Sequence, residues 1–330
     1  MTKHATGHLF ITQELPEQAA GALADLPVPV VTHRGVRPPT HCDVLTGARG
    51  AVAIVSTVNE TIDDEVMRAA GPDLRIIANC AVGYDNIDLA AAAARGILVS
   101  NTPGVLDKAT ADVAFGLLLA TARRIVEADR FVRSRADWHW GPSVFLGRDV
   151  SAGTTLGIVG LGRIGFEIAR RAVAFDMKVL AYDRRPLDDR ARALGVTAVD
   201  LDSLLATSDF VSLHCPLTPD TRHLINAESL GRMRPGSILI NTARGPLVEE
   251  AALAAALRSG QLAAAGLDVF EDEPRIHPAL LELENAVLLP HIASAGDRTR
   301  AAMATLAIEN VRRCLSGRPL LTAVTDAAAS

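Results

Sequence analysis

The sequence predicts an α/β protein of two doubly wound lobes, each a parallel sheet covered by helices on both faces. Three observations carry that expectation. The chain has 330 residues, which at about 100 to 200 residues per domain suggests two domains. Short β-branched runs alternate with helical stretches in two separate series, the rhythm of parallel sheets. A long helical stretch, about residues 107–135, stands between the two series.

The first series runs HLFIT (8–12), PVPVVTH (27–33), AVAIVS (51–56), a helix in TIDDEVMRAAG, a strand in LRIIANC, a helix in NIDLAAAAARG and a strand in ILVS. Asp63, Asp64 and Glu65 sit where a helix dipole favours acids, and Gly71 and Gly96 where a helix ends on a left-handed residue. In the middle stretch, Arg123 with Glu127 and Asp129 with Arg133 have the i,i+4 spacing of a solvated or interfacial face. The connector ADWHWGPSVFLGRDV (136–150) holds both tryptophans, Trp138 and Trp140, and large aromatics in a connector call for a cover. The second series runs TTLGIVG, a helix over about 163–175, KVLAYD, DFVSLHCPL, SILINTARG, the helix EEAALAAALRSG, AAAGLDVF and AVLLPH. A last helix, ATLAIENVRRCLSG (304–317), has no strand after it; its expected return to the first lobe would make that lobe discontinuous.

Composition excludes several classes. With 49% hydrophobic and 22% charged residues the chain is ordinary for a globular protein and too apolar for native disorder. A net charge of -5 argues against nucleic acid as the main partner. The four cysteines form no CxxC and there is no HExxH, so no metal site is expected. The N-terminus lacks the apolar core of a signal peptide and no run is long enough to span a membrane, so a cytoplasmic protein is expected.

The second series opens on chemistry. Gly160, Gly162 and Gly165 spell G-x-G-x-x-G directly after a strand and directly before an amphipathic helix. In that setting the first glycine makes the turn, the second admits a pyrophosphate, the third lets helix pack on strand, and the helix N-terminus holds the anion. Asp183 closes the next strand, where an acid accepts both ribose hydroxyls of NAD. A tight structural turn is the plainer reading of three glycines, but the flanking strand, helix and acid favour dinucleotide binding.

NTARGPLVEE, LDVFEDEP and LLPHIAS in the second series, with NCAVGYDNID, NTPGVL and TADVAFGLLLATARR before it, carry a family likeness from about residue 74 to 300. The sequence resembles the D-isomer-specific 2-hydroxyacid dehydrogenases, most closely their glyoxylate/hydroxypyruvate reductase branch. The resemblance implies a flavodoxin-like substrate lobe from residues 1–103 and 293–330, a Rossmann NAD lobe from 104–292, and an active site in the cleft. It implies a catalytic set of Arg244 in TARG, Glu273 in EDEP and His291 in PHIAS. General chemistry agrees: 2-keto acid reduction needs a hydride donor, a proton donor for the carbonyl oxygen and a cation for the carboxylate. A histidine beside a carboxylate supplies the proton, and an arginine fork matches the substrate carboxylate.

The same resemblance implies backbone N–H groups of Val82 and Gly83 at the substrate carboxylate. Toward the cofactor it implies contacts from Thr110, Arg163, Ile164, Cys215, Pro216, Thr242, Ala243 and Asp268, with NAD(H) preferred and NADP(H) secondary. The other eight histidines, His214 included, read as structural or surface groups. Related enzymes dimerise through the arm corresponding to 107–150, so a homodimer is expected. Ala293 and Gly296 stand where this branch usually has Gly and Thr, and no C-terminal regulatory domain is recognisable. Within the class, 2-ketogluconate reductase and phosphite dehydrogenase are the nearest alternatives; formate dehydrogenase is disfavoured because its family has glutamine in place of Glu273. Outside it, an NADH-sensing corepressor would share the fold without turnover.

Overall fold

A computed structural model describes residues 7–324 apart from 36 and 152. The chain divides into two compact units, Met1–Leu106 with Ala295–Ser330, and Asp107–Ser294.

The first unit holds strands β1 (His8–Ile11), β2 (Val30–Thr32), β3 (Ala51–Ser56), β4 (Ile76–Asn79) and β5 (Leu98–Ser100), with helices α1 (His41–Ala48), α2 (Asp64–Ala70) and α3 (Leu89–Ala94). All pairings are parallel in the order β2-β1-β3-β4-β5, the flavodoxin-like order. Strand alternation splits the core: Phe10, Ile54 and Ile77 meet Val44, Val66 and Met67 on one side of the sheet, while Leu9, Ile11, Val55 and Ile76 belong to the other. The acids before α2 behave as the dipole argument requires, with Asp63 capping the helix by accepting the Glu65 and Val66 N–H groups. Gly71 and Gly96 follow their helices at φ 94° and 67°.

The second unit begins with α4 (Asp107–Ala122) and α5 (Ile125–Arg133). The single helical stretch expected over 107–135 is therefore broken. The Ala122 carbonyl accepts the Arg148 N–H at 2.8 Å, and Arg124 turns left-handed (φ 53°) before the chain resumes as α5. The break also changes the ion pairing, since Glu127 pairs with Arg124 at 2.5 Å and not with Arg123; Asp129 pairs with Arg133 at 2.8 Å as expected. There follow β6 (Thr155–Val159), α6 (Arg163–Ala174), β7 (Lys178–Tyr182), α7 (Asp189–Ala193), β8 (Thr197–Ala198), α8 (Leu201–Thr207), β9 (Phe210–Leu213), α9 (Ala227–Arg232), β10 (Ser237–Asn241), α10 (Glu250–Ser259), β11 (Leu262–Leu267), α11 (Pro278–Leu281) and β12 (Ala286–Leu288).

This sheet is also all parallel, in the order β12-β11-β10-β9-β6-β7-β8. The chain reverses direction across the sheet between β6 and β9, and such a switch point opens a crevice at the carboxyl ends of the strands. Its strands are buried on both faces: Ile238 and Ile240 of β10 pack with Phe115, Leu118 and Ile168, and Leu239 between them packs with Leu204, Leu253 and Leu257.

The final helix, α12 (Asp297–Leu315), starts earlier than the sequence suggests and belongs to the first unit, where Ala307, Val311 and Cys314 pack on Leu9, Ile11 and Ile76. Among the described residues no helix is long and apolar enough to cross a membrane.

Candidate active site

The glycine loop lies at the switch point, between β6 and α6. Gly160 has φ 91°, and a Cβ there would stand 2.5 Å from the Cys215 nitrogen, so this turn rests directly on the backbone leaving β9. A Cβ on Gly165 would stand 2.2 Å from the Gly160 carbonyl oxygen, so helix and strand approach this closely only without a side chain. Gly162 is different: a Cβ there would meet no heavy atom within 4 Å, and no side chain caps α6. The second glycine serves no contact within the chain, which fits a pyrophosphate received by the helix N-terminus through Arg163, Ile164 and Gly165.

Asp183, just beyond β7, is fixed by two backbone donors, Leu161 N–H at 2.8 Å and Arg185 N–H at 2.9 Å, and its side chain is 13% exposed. Arg184 and Arg185 beside it are exposed. Thr242, after β10, is buried, and among the described residues its hydroxyl has no hydrogen-bond partner. The open glycine, the uncapped helix, the fixed acid and this buried hydroxyl together fit a dinucleotide. Thr110 is buried in α4, and Cys215 and Pro216 leave β9 beside Gly160. Burial pushes the Cys215 thiol up to about 11, so it is neutral at ordinary pH.

Three strand exits of this sheet carry the residues expected to form the catalytic set. After β10, the Asn241 side chain accepts the Ala243 N–H at 3.0 Å and donates to the Arg244 carbonyl at 2.9 Å, folding the turn that presents Arg244. After β11, Asp268 has no exposed surface, and its two oxygens accept the Ile292 and Ala293 N–H groups, each at 2.7 Å. Burial raises the Asp268 carboxyl above its ordinary range, partly offset by those N–H groups and by the charge of His291. Asp268, expected at the cofactor, also holds the loop after β12 with its carboxylate, where His291 adopts a left-handed φ of 54°. A non-glycine residue holds that conformation only when its surroundings impose it. The Asp268 carbonyl accepting the His291 N–H at 2.8 Å, with the two carboxylate bonds, does so.

His291 Nδ1 lies 2.8 Å from Glu273 Oε2, and each side chain is 28% exposed. The other oxygen of Glu273 accepts the Phe270 N–H at 2.9 Å. Burial works against the charge on Glu273, yet the hydrogen bond and charge of His291, the Phe270 N–H and the Arg244 charge together hold its carboxyl below the ordinary range. The result is a carboxylate fixed against one ring nitrogen of a histidine, with an arginine close enough to be felt. Such an arrangement can orient a histidine for proton transfer.

In the first unit, Val82 and Gly83 follow β4, and two asparagines pin their carbonyls: Asn101 donates to Val82 and Asn79 to Gly83, both at 2.8 Å. Neither asparagine, nor Asn241, was singled out from sequence. An asparagine at a strand end followed by a turn is the one signal that could have marked Asn79 and Asn241.

Residues 115–293 match the family described as D-isomer specific 2-hydroxyacid dehydrogenase, NAD binding domain. The chain is 50% identical over 307 residues to a glyoxylate reductase of Korarchaeum cryptofilum, covering 92% of this chain and 91% of that protein. A Thermus thermophilus protein of known crystal structure superposes with a TM-score of 0.89 at 45% identity, over 96% of this chain and 100% of that one. An NADPH-dependent glyoxylate/hydroxypyruvate reductase from Sinorhizobium meliloti, solved with NADP and malonate, does so with a TM-score of 0.83 at 36% identity, over 97% of each chain.

Proposed function

Because the chain belongs to the D-isomer specific 2-hydroxyacid dehydrogenases, NAD(P)-dependent oxidoreductases, we propose that it reduces glyoxylate and hydroxypyruvate to the corresponding 2-hydroxy acids, glycolate and D-glycerate. The observation that carries this reading is the His291–Glu273 pair at 2.8 Å, built on the same sheet as the glycine loop and Arg244. Bound NADH or NADPH supplies the hydride that adds to the carbonyl carbon.

The chain's own groups do the rest. His291 delivers a proton to the carbonyl oxygen; with Nδ1 committed to Glu273, Nε2 is the nitrogen that transfers it. Glu273 holds the ring in orientation and stabilises its cationic form. Arg244 takes the substrate carboxylate in its planar fork; the family resemblance assigns the N–H groups of Val82 and Gly83 to substrate binding. The N-terminal turn of α6, with Gly160, Gly162, Arg163, Ile164 and Gly165, takes the pyrophosphate, and Asp183 the adenosine ribose. Thr110, Cys215, Pro216, Thr242, Ala243 and Asp268 complete the cofactor contacts, and the Asp268 carboxylate also holds the His291 loop.

We further assign the 107–150 segment to a homodimer contact. Trp138 is 65% and Trp140 83% exposed within one chain, with Val144 and Leu146 exposed beside them, so the rings do not cap their own lobe. Light scattering at micromolar concentration should report a dimer, and a monomer would remove this assignment. The four free cysteines suit a reducing cytoplasm, to which the protein is assigned.

The reaction is tested by following NADH oxidation against a panel of 2-keto acids. Glyoxylate and hydroxypyruvate should give the highest kcat/KM. No turnover with any acid would instead make this a cofactor-binding protein of the same fold.

A further inference from the structure

The loop that carries Glu273 is fastened at both ends to one carboxylate to which the reading above gives no task. Glu250, the first residue of α10, is 5% exposed. It accepts the Glu271 N–H at 2.7 Å on one oxygen and the His277 N–H at 2.9 Å on the other, so Glu273 lies in the span between the two ties. The fastening is reciprocal. Glu271 accepts the Glu250 N–H at 3.4 Å on one oxygen, and its other oxygen lies 2.6 Å from His223 Nε2 and 3.6 Å from Arg222. Just before Glu250, a Cβ on Gly245 would stand 1.8 Å from the Phe270 carbonyl oxygen, and Phe270 is the residue whose N–H binds Glu273. The segment from Arg244 to Glu250 is thus the bed on which the Glu273 loop lies.

A carboxylate at a helix start gains from the helix dipole, but that benefit is available at an exposed site and does not require burial. A buried carboxylate is costly unless both oxygens are used, and here both are used on the two ends of one loop. We propose that Glu250 is a positioning residue, its carboxylate clamping the 271–277 loop so that Glu273 meets His291 in the geometry that proton transfer needs. The inference rests on the reading of His291 as proton donor. The charged and titratable groups near the two acids are Glu271 and His277 at Glu250, with His223 and Arg222 on the far oxygen of Glu271, and His291, Arg244 and Asp268 around Glu273.

The test is a double-mutant cycle on the full-length enzyme. Glu250→Gln keeps the volume but offers one acceptor oxygen to two N–H donors, so one tie is lost. It should lower kcat for glyoxylate by about tenfold or more, the scale on which a misplaced group costs rate. The NADH dissociation constant should not change, and the alkaline limb of the kcat profile should move to lower pH. In a Glu273→Gln background the same substitution should change kcat by less than about twofold, because it acts through the group already removed. A fall in melting temperature with kcat per NADH-binding site and the limb unmoved would reduce Glu250 to a structural acid. Equal loss in both backgrounds would show that Glu250 acts through its own charge. Either result overturns the inference while leaving the proposed reaction intact. If Glu273→Gln alone leaves the limb in place, the proton-donor reading fails and the clamp falls with it. Should Glu250→Gln not fold, Glu250→Asp keeps the charge but withdraws both oxygens by one methylene from the Glu271 and His277 N–H groups, and an unmoved limb there is equally contrary.

Discussion

The glycine loop and the catalytic loops stand at the carboxyl ends of one sheet and work by opposite means. The glycine loop acts through backbone: Gly160 and Gly165 are close approaches, and Gly162 is a position where the chain puts nothing. The loops proposed as catalytic present Arg244, Glu273 and His291, and each depends on side chains elsewhere that hold backbone: Asn241 the arginine turn, Asp268 the histidine turn, Glu250 the glutamate loop. A site made of backbone needs only the right spacing; a site made of side chains needs holders.

Substitution should therefore hurt the two regions in different currencies. The largest effect is expected at the proton donor: His291→Ala should lower kcat by on the order of 10² to 10⁴, the usual contribution of a positioned general acid, and leave NADH binding in place. Fluorescence titration with NADH beside steady-state kinetics checks both halves. In the glycine loop, two alanines should separate cofactor from fold. Gly165→Ala drives a Cβ into the Gly160 carbonyl and should cost about 1 to 3 kcal/mol of stability, as overpacking does. Gly162→Ala meets nothing in the chain and should leave the melting temperature alone while weakening NADH by about tenfold or more, the equivalent of ~1.4 kcal/mol. If both alanines destabilise alike, the second glycine is structural and the contrast is lost.

Next in size is cofactor choice. Asp183 is fixed by two N–H donors, whereas Arg184 and Arg185 are solvent-screened, so the acid should dominate and NADH be preferred with residual NADPH activity. Asp183→Ser should move the kcat/KM ratio toward NADPH by about tenfold. A wild-type preference for NADPH at both low and high salt would show the arginines in command.

The smallest effect concerns a histidine outside the catalytic set. Burial pushes His214 down to about 3, and its Nε2 lies 2.8 Å from the Ser212 hydroxyl. The unfolded chain protonates this ring near its ordinary value while the folded chain resists, so folding stability should decline as pH falls from about 6.5 toward 3. His214→Asn should flatten that slope in urea titrations at several pH values; an unchanged slope would mean that His214 titrates normally.

The contrast also explains what the sequence disclosed. Alternating strand and helix patterns, the glycine spacing and the TARG, EDEP and PHIAS motifs are local signals, and they marked both sheets and the residues proposed as the catalytic set. The helix break at Arg124 was hidden because its cause, the Arg148 N–H on the Ala122 carbonyl, comes from a distant part of the chain. The holding roles of Glu250 and of the Asp268 carboxylate were hidden in the same way. Each spends its carboxylate on N–H groups 21 to 27 residues away, and no local pattern records such a bond.

The central claim is that Glu273 keeps His291 ready to donate a proton. The most direct measurement is the pH profile of kcat for NADH-dependent glyoxylate reduction, compared between the wild type and Glu273→Gln. The neutral amide keeps the shape of the side chain but removes the anion beside the ring, so the alkaline limb should move to lower pH while NADH affinity stays the same. An alkaline limb that stays in place would contradict the claim.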